Sequence, residues 1–244
     1  MLANQIGYYS LILGLMLSTY LCGIAIKDFN NKIKNLNSNI IILSFLQLTF
    51  VIISFLSLIM SFINSDFSNE TVFNNSHTTK PLFYKIAGTW GNHEGSLLLW
   101  LLVLTLFIFL FLIKSREQPK KYRILTLLFQ QLIIIGFFLF VLMTSNPFNY
   151  LFPIPLEGLG LNPILQDPAL AIHPPLLYLG YVGSSVIFSA SLSAVTQNYI
   201  SKEWGQHIQK WVLISWIFNH RHNAWFNLGL LRTRMGRFLV LGSC

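Results

Sequence analysis

Five apolar runs alternate with polar segments along this chain of 244 residues. They cover about Tyr8–Ile26, Ile40–Ile63, Leu97–Ile113, Ile124–Thr144 and Leu176–Val195. An α-helix rises about 1.5 Å per residue, so about 20 apolar residues cross about 30 Å of hydrocarbon. Each run is therefore read as a transmembrane helix. A sixth run starts at Trp211 and fails after Phe218, at Asn-His-Arg-His-Asn. Its eight apolar residues are too few to cross. The pattern predicts an all-α polytopic membrane bundle of about five to six transmembrane helices.

Basic residues fall on alternate loops. Lys27, Lys32 and Lys34 follow the first span; Lys114, Arg116, Lys120, Lys121 and Arg123 follow the third; Lys202 and Lys210 follow the fifth. The second loop has only Lys80 and Lys85, and the fourth, Ser145–His173, has none. The positive-inside rule then places the N-terminus outside. It also places two polar–apolar boundaries on the outer face, one holding His93 and the other His173. The fourth loop and the Pro174-Pro175 pair that follows it carry seven of the nine prolines, and the loop shows no period. A structureless stretch of that length predicts a functional or docked segment, stiffened by proline.

Composition supports the membrane reading: 54% of residues are hydrophobic and 10% charged, which is not soluble-domain composition. The first run lacks a basic N-terminal region before it and a small-residue cleavage site, so it reads as a span rather than a signal peptide. Cys22 lies within that run and Cys244 ends the chain. There is no C-x-x-C-H, so the chain is not itself a c-type cytochrome. The formal charge of +8 owes half its size to Arg221, Arg232, Arg234 and Arg237, in a tail without acids. The basic balance therefore does not point to nucleic acid. Abundant Asn, Ile, Lys and Phe suggest an AT-rich genome, bacterial or organellar.

The chemistry concentrates in two motifs. The first is Thr89-Trp-Gly-Asn-His-Glu-Gly-Ser-Leu-Leu-Leu-Trp100. Asn92 is a candidate helix cap, and Glu94 suits the positive end of the helix dipole. His93 and Glu94 either serve that cap or shape the floor of a binding site. Trp90 and Trp100 are either stacking residues or interfacial anchors, and residue type favours anchors. The second motif is Gln166-Asp-Pro-Ala-Leu-Ala-Ile-His-Pro-Pro-Leu-Leu-Tyr-Leu-Gly-Tyr-Val-Gly183. Proline is tolerated in the first turn of a helix, so Pro174-Pro175 predicts a helix start there, with His173 at or just before it. Tyr178 and Tyr181 follow in the interfacial zone. A neutral imidazole suits haem iron, but residue type alone favours a capping or anchoring histidine. Glu157 and Asp167 are too far apart to infer a carboxylate pair, and Asp167 before Pro168 reads as turn chemistry. His77 and His207 are expected to be solvated. Gly180, Gly183, Ser184 and Ser185 offer a small face for helix packing. There is no Walker A, C-x-x-C pair, H-E-x-x-H or nucleophile elbow.

These two motifs resemble those of the CcmF-type cytochrome c haem lyases. The resemblance covers residues 1–218 and is densest at 81–100 and 144–183. It implies a membrane component of cytochrome c maturation, which takes b-type haem in transit from a haem chaperone. The haem vinyl groups are then joined to apocytochrome c thiols on the outer face, with thiol-reducing maturation proteins as further partners. It implies that His173 is an axial haem ligand, with Trp90, His93, Pro174 and Tyr178 in the haem surroundings. The implied location is a bacterial inner membrane or, alternatively, a mitochondrial one. The rivals are a haem delivery protein without ligase activity, a structural subunit of a respiratory assembly, and one chain of a divided lyase.

In the family, the segment after Phe218 stays apolar and leads to a tryptophan-rich motif of the type W-G-G-x-W-x-W-D-P. Here residues 219–244 read differently. With permitted codons, reading one base later gives TIGIMLGSTWAYYELGWGGFWFWDP. Two steps do not depend on codon choice: Met235-Gly236 must yield tryptophan, and Trp225-Phe226 must yield glycine. The expectation is a membrane domain over 1–218 and an out-of-frame tail over 219–244. The fragment alone is then expected not to ligate haem. The competing reading of the tail is a basic amphipathic end on the membrane.

Overall fold

The computed structural model describes residues 1–29, 38–160 and 168–218. Eight helices follow in order: α1 (Leu2–Phe29), α2 (Ser38–Ile63), α3 (Glu70–Asn75), α4 (Leu82–Gly88), α5 (His93–Lys114), α6 (Lys120–Thr144), α7 (Pro168–Tyr181) and α8 (Ser184–Thr196). A further helical stretch occupies 202–218. Among the described residues, five segments are long and apolar enough to cross a membrane: α1, α2, α5, α6, and the combined run Ala171–Thr196 through α7 and α8. The five expected spans are all present in an all-α polytopic bundle. Lys32, Lys34, Gln166, Asp167 and the tail 219–244 lie outside the described residues.

The central post is α5. Its core window is 56% buried, against 39–44% for the other four spans. A helix apolar on every side is one surrounded by other helices. It contacts α2, α6, α7 and α8, while α1 packs on α2 and α6, and α6 also packs on α8. Close approach is built from small residues. Phe138 of α6 lies over Gly14 of α1, where an added Cβ would come within 2.8 Å of the ring.

Three fully buried glutamines fix how these helices meet. Gln47 of α2 donates to Ser18 of α1, and exchanges amide hydrogen bonds with Gln131 of α6 at 3.1 and 2.8 Å. Gln130, one residue earlier on α6, turns to α8. It donates to Ser185 at 2.9 Å and accepts from Ser189 at 2.8 Å. Adjacent positions on a helix point about 100° apart, so one dipeptide can bind neighbours on two sides.

At one end of the bundle an asparagine knot holds the loops. Asn69 caps α3, accepting from the Val72 amide at 3.1 Å. Its amide donates to Asn4 of α1 and to the Pro147 carbonyl, while Asn4 donates to the Phe148 carbonyl at 3.2 Å. The opposite end carries a buried ion pair, Lys120 to Asp28 at 3.0 Å. Arg123 donates there to the Leu112 carbonyl at 2.8 Å and to Ser115.

Three expectations are corrected. The final crossing does not begin at Pro174: both prolines lie inside α7, which is helical from Pro168, and His173 sits within the helix. The fourth loop is correspondingly shorter. That crossing is also interrupted, at Val182–Gly183. A Cβ on Gly183 would meet the Leu179 carbonyl at 2.4 Å and the Phe107 ring at 2.5 Å. Finally, His207 is not solvated: it is half-buried and packs edge-on against Phe111, with ring centroids 5.6 Å apart.

Replacing Gln47 by leucine leaves the Gln131 amide without its partner. We expect a loss of about 1 kcal/mol, within the range measured for interhelical hydrogen bonds in membranes. The double substitution Gln47→Leu/Gln131→Leu should lose less than the sum of the two singles. Reversible unfolding in detergent micelles measures this, and strict additivity would refute the coupling.

Candidate functional site

Several residues between Thr89 and Ser96 have a structural reason. Asn92 has extended backbone and caps α5, its Oδ1 accepting from the Gly95 amide at 2.7 Å. Its Nδ2 donates back to the Gly88 carbonyl at 2.6 Å. Residue 95 has to be glycine, because a Cβ there would lie 1.6 Å from the Thr89 oxygen. Ser96 Oγ donates to the Trp90 carbonyl at 2.8 Å, and the Trp90 amide donates to Ala87 at 3.3 Å. The backbone of Trp90 is thus held from both sides. Its indole reaches α7, where Nε1 donates to the Ala171 carbonyl at 2.7 Å. Glu94 lies in the first turn of α5, at the positive end of its dipole.

Between α5 and α7 lies an open cleft of about 510 Å³, lined in part by Trp90, His93, Ser96, Trp100, Pro174 and Tyr178. That volume is within the usual ~300–1,000 Å³ of small-molecule and cofactor sites. The walls are aromatic. Trp100 stands edge-on to Tyr178 at 5.5 Å between centroids, beside Tyr181 at 6.1 Å and Phe137 at 5.5 Å. His93 is exposed, with Nδ1 3.3 Å from the Ser145 hydroxyl. Leu97 and Trp100 also line a second, apolar groove of about 540 Å³ with Gly136, Phe137 and Phe140 of α6. The pair forms a partition between a polar mouth and an apolar flank.

Four of the five residues singled out from sequence, Trp90, His93, Pro174 and Tyr178, meet in this cleft. The fifth, His173, is half-buried on α7 next to Pro174, and its side chain is not among those lining the cleft. Both tryptophans line the cleft and both contact α7. Sequence reasoning missed the Ala171 carbonyl and Ser145. The first was signalled by the two prolines that follow it, and the second by nothing local, since it depends on where α6 ends.

From Ser145 to Gly160 the segment after α6 is docked, one of the two readings that its length and prolines allowed. Leu151 and Leu159 donate backbone hydrogen bonds to the Ser68 and Phe73 carbonyls at 2.9 and 2.8 Å. Glu157 accepts from the Thr78 amide at 2.9 Å and the Thr78 hydroxyl at 2.6 Å. These two bonds, led by the hydroxyl, pull its carboxyl down to about 2. His77 is partly exposed and sits 3.8 Å from the same carboxylate.

A family model described as "Cytochrome C assembly protein" matches residues 90–227, more than half of the chain. The chain belongs to the cytochrome c assembly protein family. The matched region opens on Trp90 and includes α5 and α7, hence the whole cleft. Among relatives, the cytochrome c-type biogenesis protein CycK of Rhizobium meliloti is 43% identical over 217 residues, covering 88% of this chain and 32% of that protein. The cytochrome c-type biogenesis protein CcmF of Escherichia coli is 42% identical over 166 residues, covering 68% of this chain and 26% of its own length. A solved structure titled "Cytochrome c Heme Lyase CcmF" superposes with a TM-score of 0.71 at 25% identity, over 88% of this chain and 34% of that one. The chain therefore spans about a third or less of these relatives. It resembles the CcmF type within the assembly protein family.

The Glu157 contact gives a pH prediction. A folded carboxyl near 2, against about 4.5 when free, favours the docked loop above about pH 4.5. That contribution is lost as pH falls from there towards 2. Thr78→Val should move the Glu157 midpoint up towards 4.5, read by infrared titration of the isotope-labelled carboxylate. An unmoved midpoint would remove Thr78 as the cause.

Proposed function

We propose that this protein is a membrane component of cytochrome c maturation that binds haem at the cleft end of the bundle. It would pass b-type haem from a haem chaperone to apocytochrome c. What carries the reading is the cleft itself, where the two motifs form one aromatic-walled cavity with an imidazole at its mouth. The residues fit a haem: flat rings for a flat macrocycle, and histidine for iron. His173, which lies beside the cleft next to Pro174 and outside its lining, would hold the iron, with Trp90, His93, Pro174 and Tyr178 around it. Haem supplies the vinyl groups to which cysteine thiols of the acceptor add. This chain's residues bind, orient and shield.

On this reading the cleft faces the periplasm, or the intermembrane space in a mitochondrion. The alternation of basic loops supports that orientation and an outside N-terminus. The bacterial relatives favour a bacterial inner membrane. Thiol-reducing maturation proteins and membrane lipid complete the partners. Lyase activity belongs to the reading of a complete family protein. With residues 219–244 out of frame, the 244-residue product would not ligate haem by itself.

In the complete family protein, His173→Ala should abolish the bound-haem absorption spectrum. An unchanged spectrum would exclude His173 as the ligand.

For the tail, genomic and transcript sequencing from codon 200 onwards should reveal the tryptophan-rich segment in the shifted frame. Its absence from every frame would overturn the frameshift.

A further inference from the structure

Within α7 one carbonyl has no helical donor in either register. The carbonyl of Ala171 would accept from residue 175 in an α-helix and from residue 174 in a 3₁₀ turn. Both are proline and neither has an N–H. Its neighbours lose only one option each: Leu170 retains the His173 amide at i+3, and Ile172 retains the Leu176 amide at i+4. The diproline thus creates a strong acceptor at one position. Ala171 is 4% exposed, so water is a poor substitute, and an unmatched buried carbonyl is costly. The indole of Trp90, 81 residues earlier in the chain, supplies the missing N–H at 2.7 Å.

We propose that Trp90 is the positioning residue for α7: its indole N–H, bound to the carbonyl that Pro174 and Pro175 strip of donors, latches the turn bearing His173 to the head of α5. The donor is pre-set, because Ser96 and Ala87 hold the Trp90 backbone and the Asn92 cap fixes the turn beneath it. The acceptor is equally specific. A proline pair shifted by one residue would free a different carbonyl, pointing about 100° away around the helix. Helix strain and tryptophan are two halves of one joint. The consequence for haem rests on the function proposed above, but the latch does not.

The test is a substitution cycle on the 244-residue chain in lipid nanodiscs. Trp90→Phe keeps an aromatic ring and removes the donor. Pro175→Ala returns an N–H to the Ala171 carbonyl and improves helix propensity. We expect Trp90→Phe to speed amide hydrogen exchange in α7 by about tenfold, as loss of one buried hydrogen bond gives. Adding Pro175→Ala to Trp90→Phe should restore most of the protection. If Trp90→Phe leaves exchange unchanged, or if Pro175→Ala fails to rescue it, the latch is overturned. A tryptophan that only fills space predicts one or the other of those results. In the complete family protein, His173→Ala and Trp90→Phe are then compared for bound haem. Haem unaffected by His173→Ala counts against the function reading, whereas the exchange cycle alone decides the latch.

Discussion

Helices in hydrocarbon gain little by burying leucine against leucine, because lipid tails are equally apolar. What fixes their mutual placement is the requirement that every buried polar group find a partner inside the protein. This bundle meets that requirement at a few points. Gln47 and Gln131 join α2 to α6, with Ser18 of α1 drawn in. Gln130 joins α6 to α8. Asn4 and Asn69 join the head of α1 to α3 and to the chain leaving α6. The apolar faces fill space around these contacts, but the amides choose the register.

The same rule explains why the site residues are also structural ones. From sequence, capping and binding look like competing explanations of the Asn92–Glu94 segment. In the structure they are one arrangement. Asn92 caps α5 and turns the chain so that His93 stands at the mouth of the cleft. Gly95 lets that turn sit on the Thr89 carbonyl, and Ser96 holds the Trp90 carbonyl. A cap satisfies the orphan amides of a helix, and here it also aims two side chains.

Much of this was legible without coordinates. Spanning helices have a required length and polarity, so all five appeared as apolar runs, short only at their charged or capped ends. The polar start of α6 is held by partners from other elements, Asp28 for Lys120 and the Leu112 carbonyl at the end of α5 for Arg123, which no apolar run marks. The start of α7 was not legible. The rule that proline opens helices is local, and it fails where a side chain from another element takes up the freed carbonyl. The ring contacts of Trp100 with Phe137 and Tyr178 were not legible for a similar reason, since both partners come from other helices. His207 looked polar in sequence, and only the return of 202–218 past Phe111 buries it.

The division of the last crossing then acquires a reason. At Val182–Gly183 the hydrogen bonding slips, with both residues donating to the Tyr178 carbonyl, and the Phe107 ring occupies the space a side chain on Gly183 would need. Below that joint α8 is tied to α6 through Ser185 and Ser189. Above it α7 leans on α5 and α4 instead. A single straight helix would have to follow α6 along its whole length. Breaking it lets the lower half serve the bundle while the upper half closes one side of a cleft. The two halves need separate fastenings, serines to Gln130 below and an indole to Ala171 above. The piece of chain bearing His173, Pro174 and Tyr178 is therefore placed by α5, the most enclosed helix of the bundle.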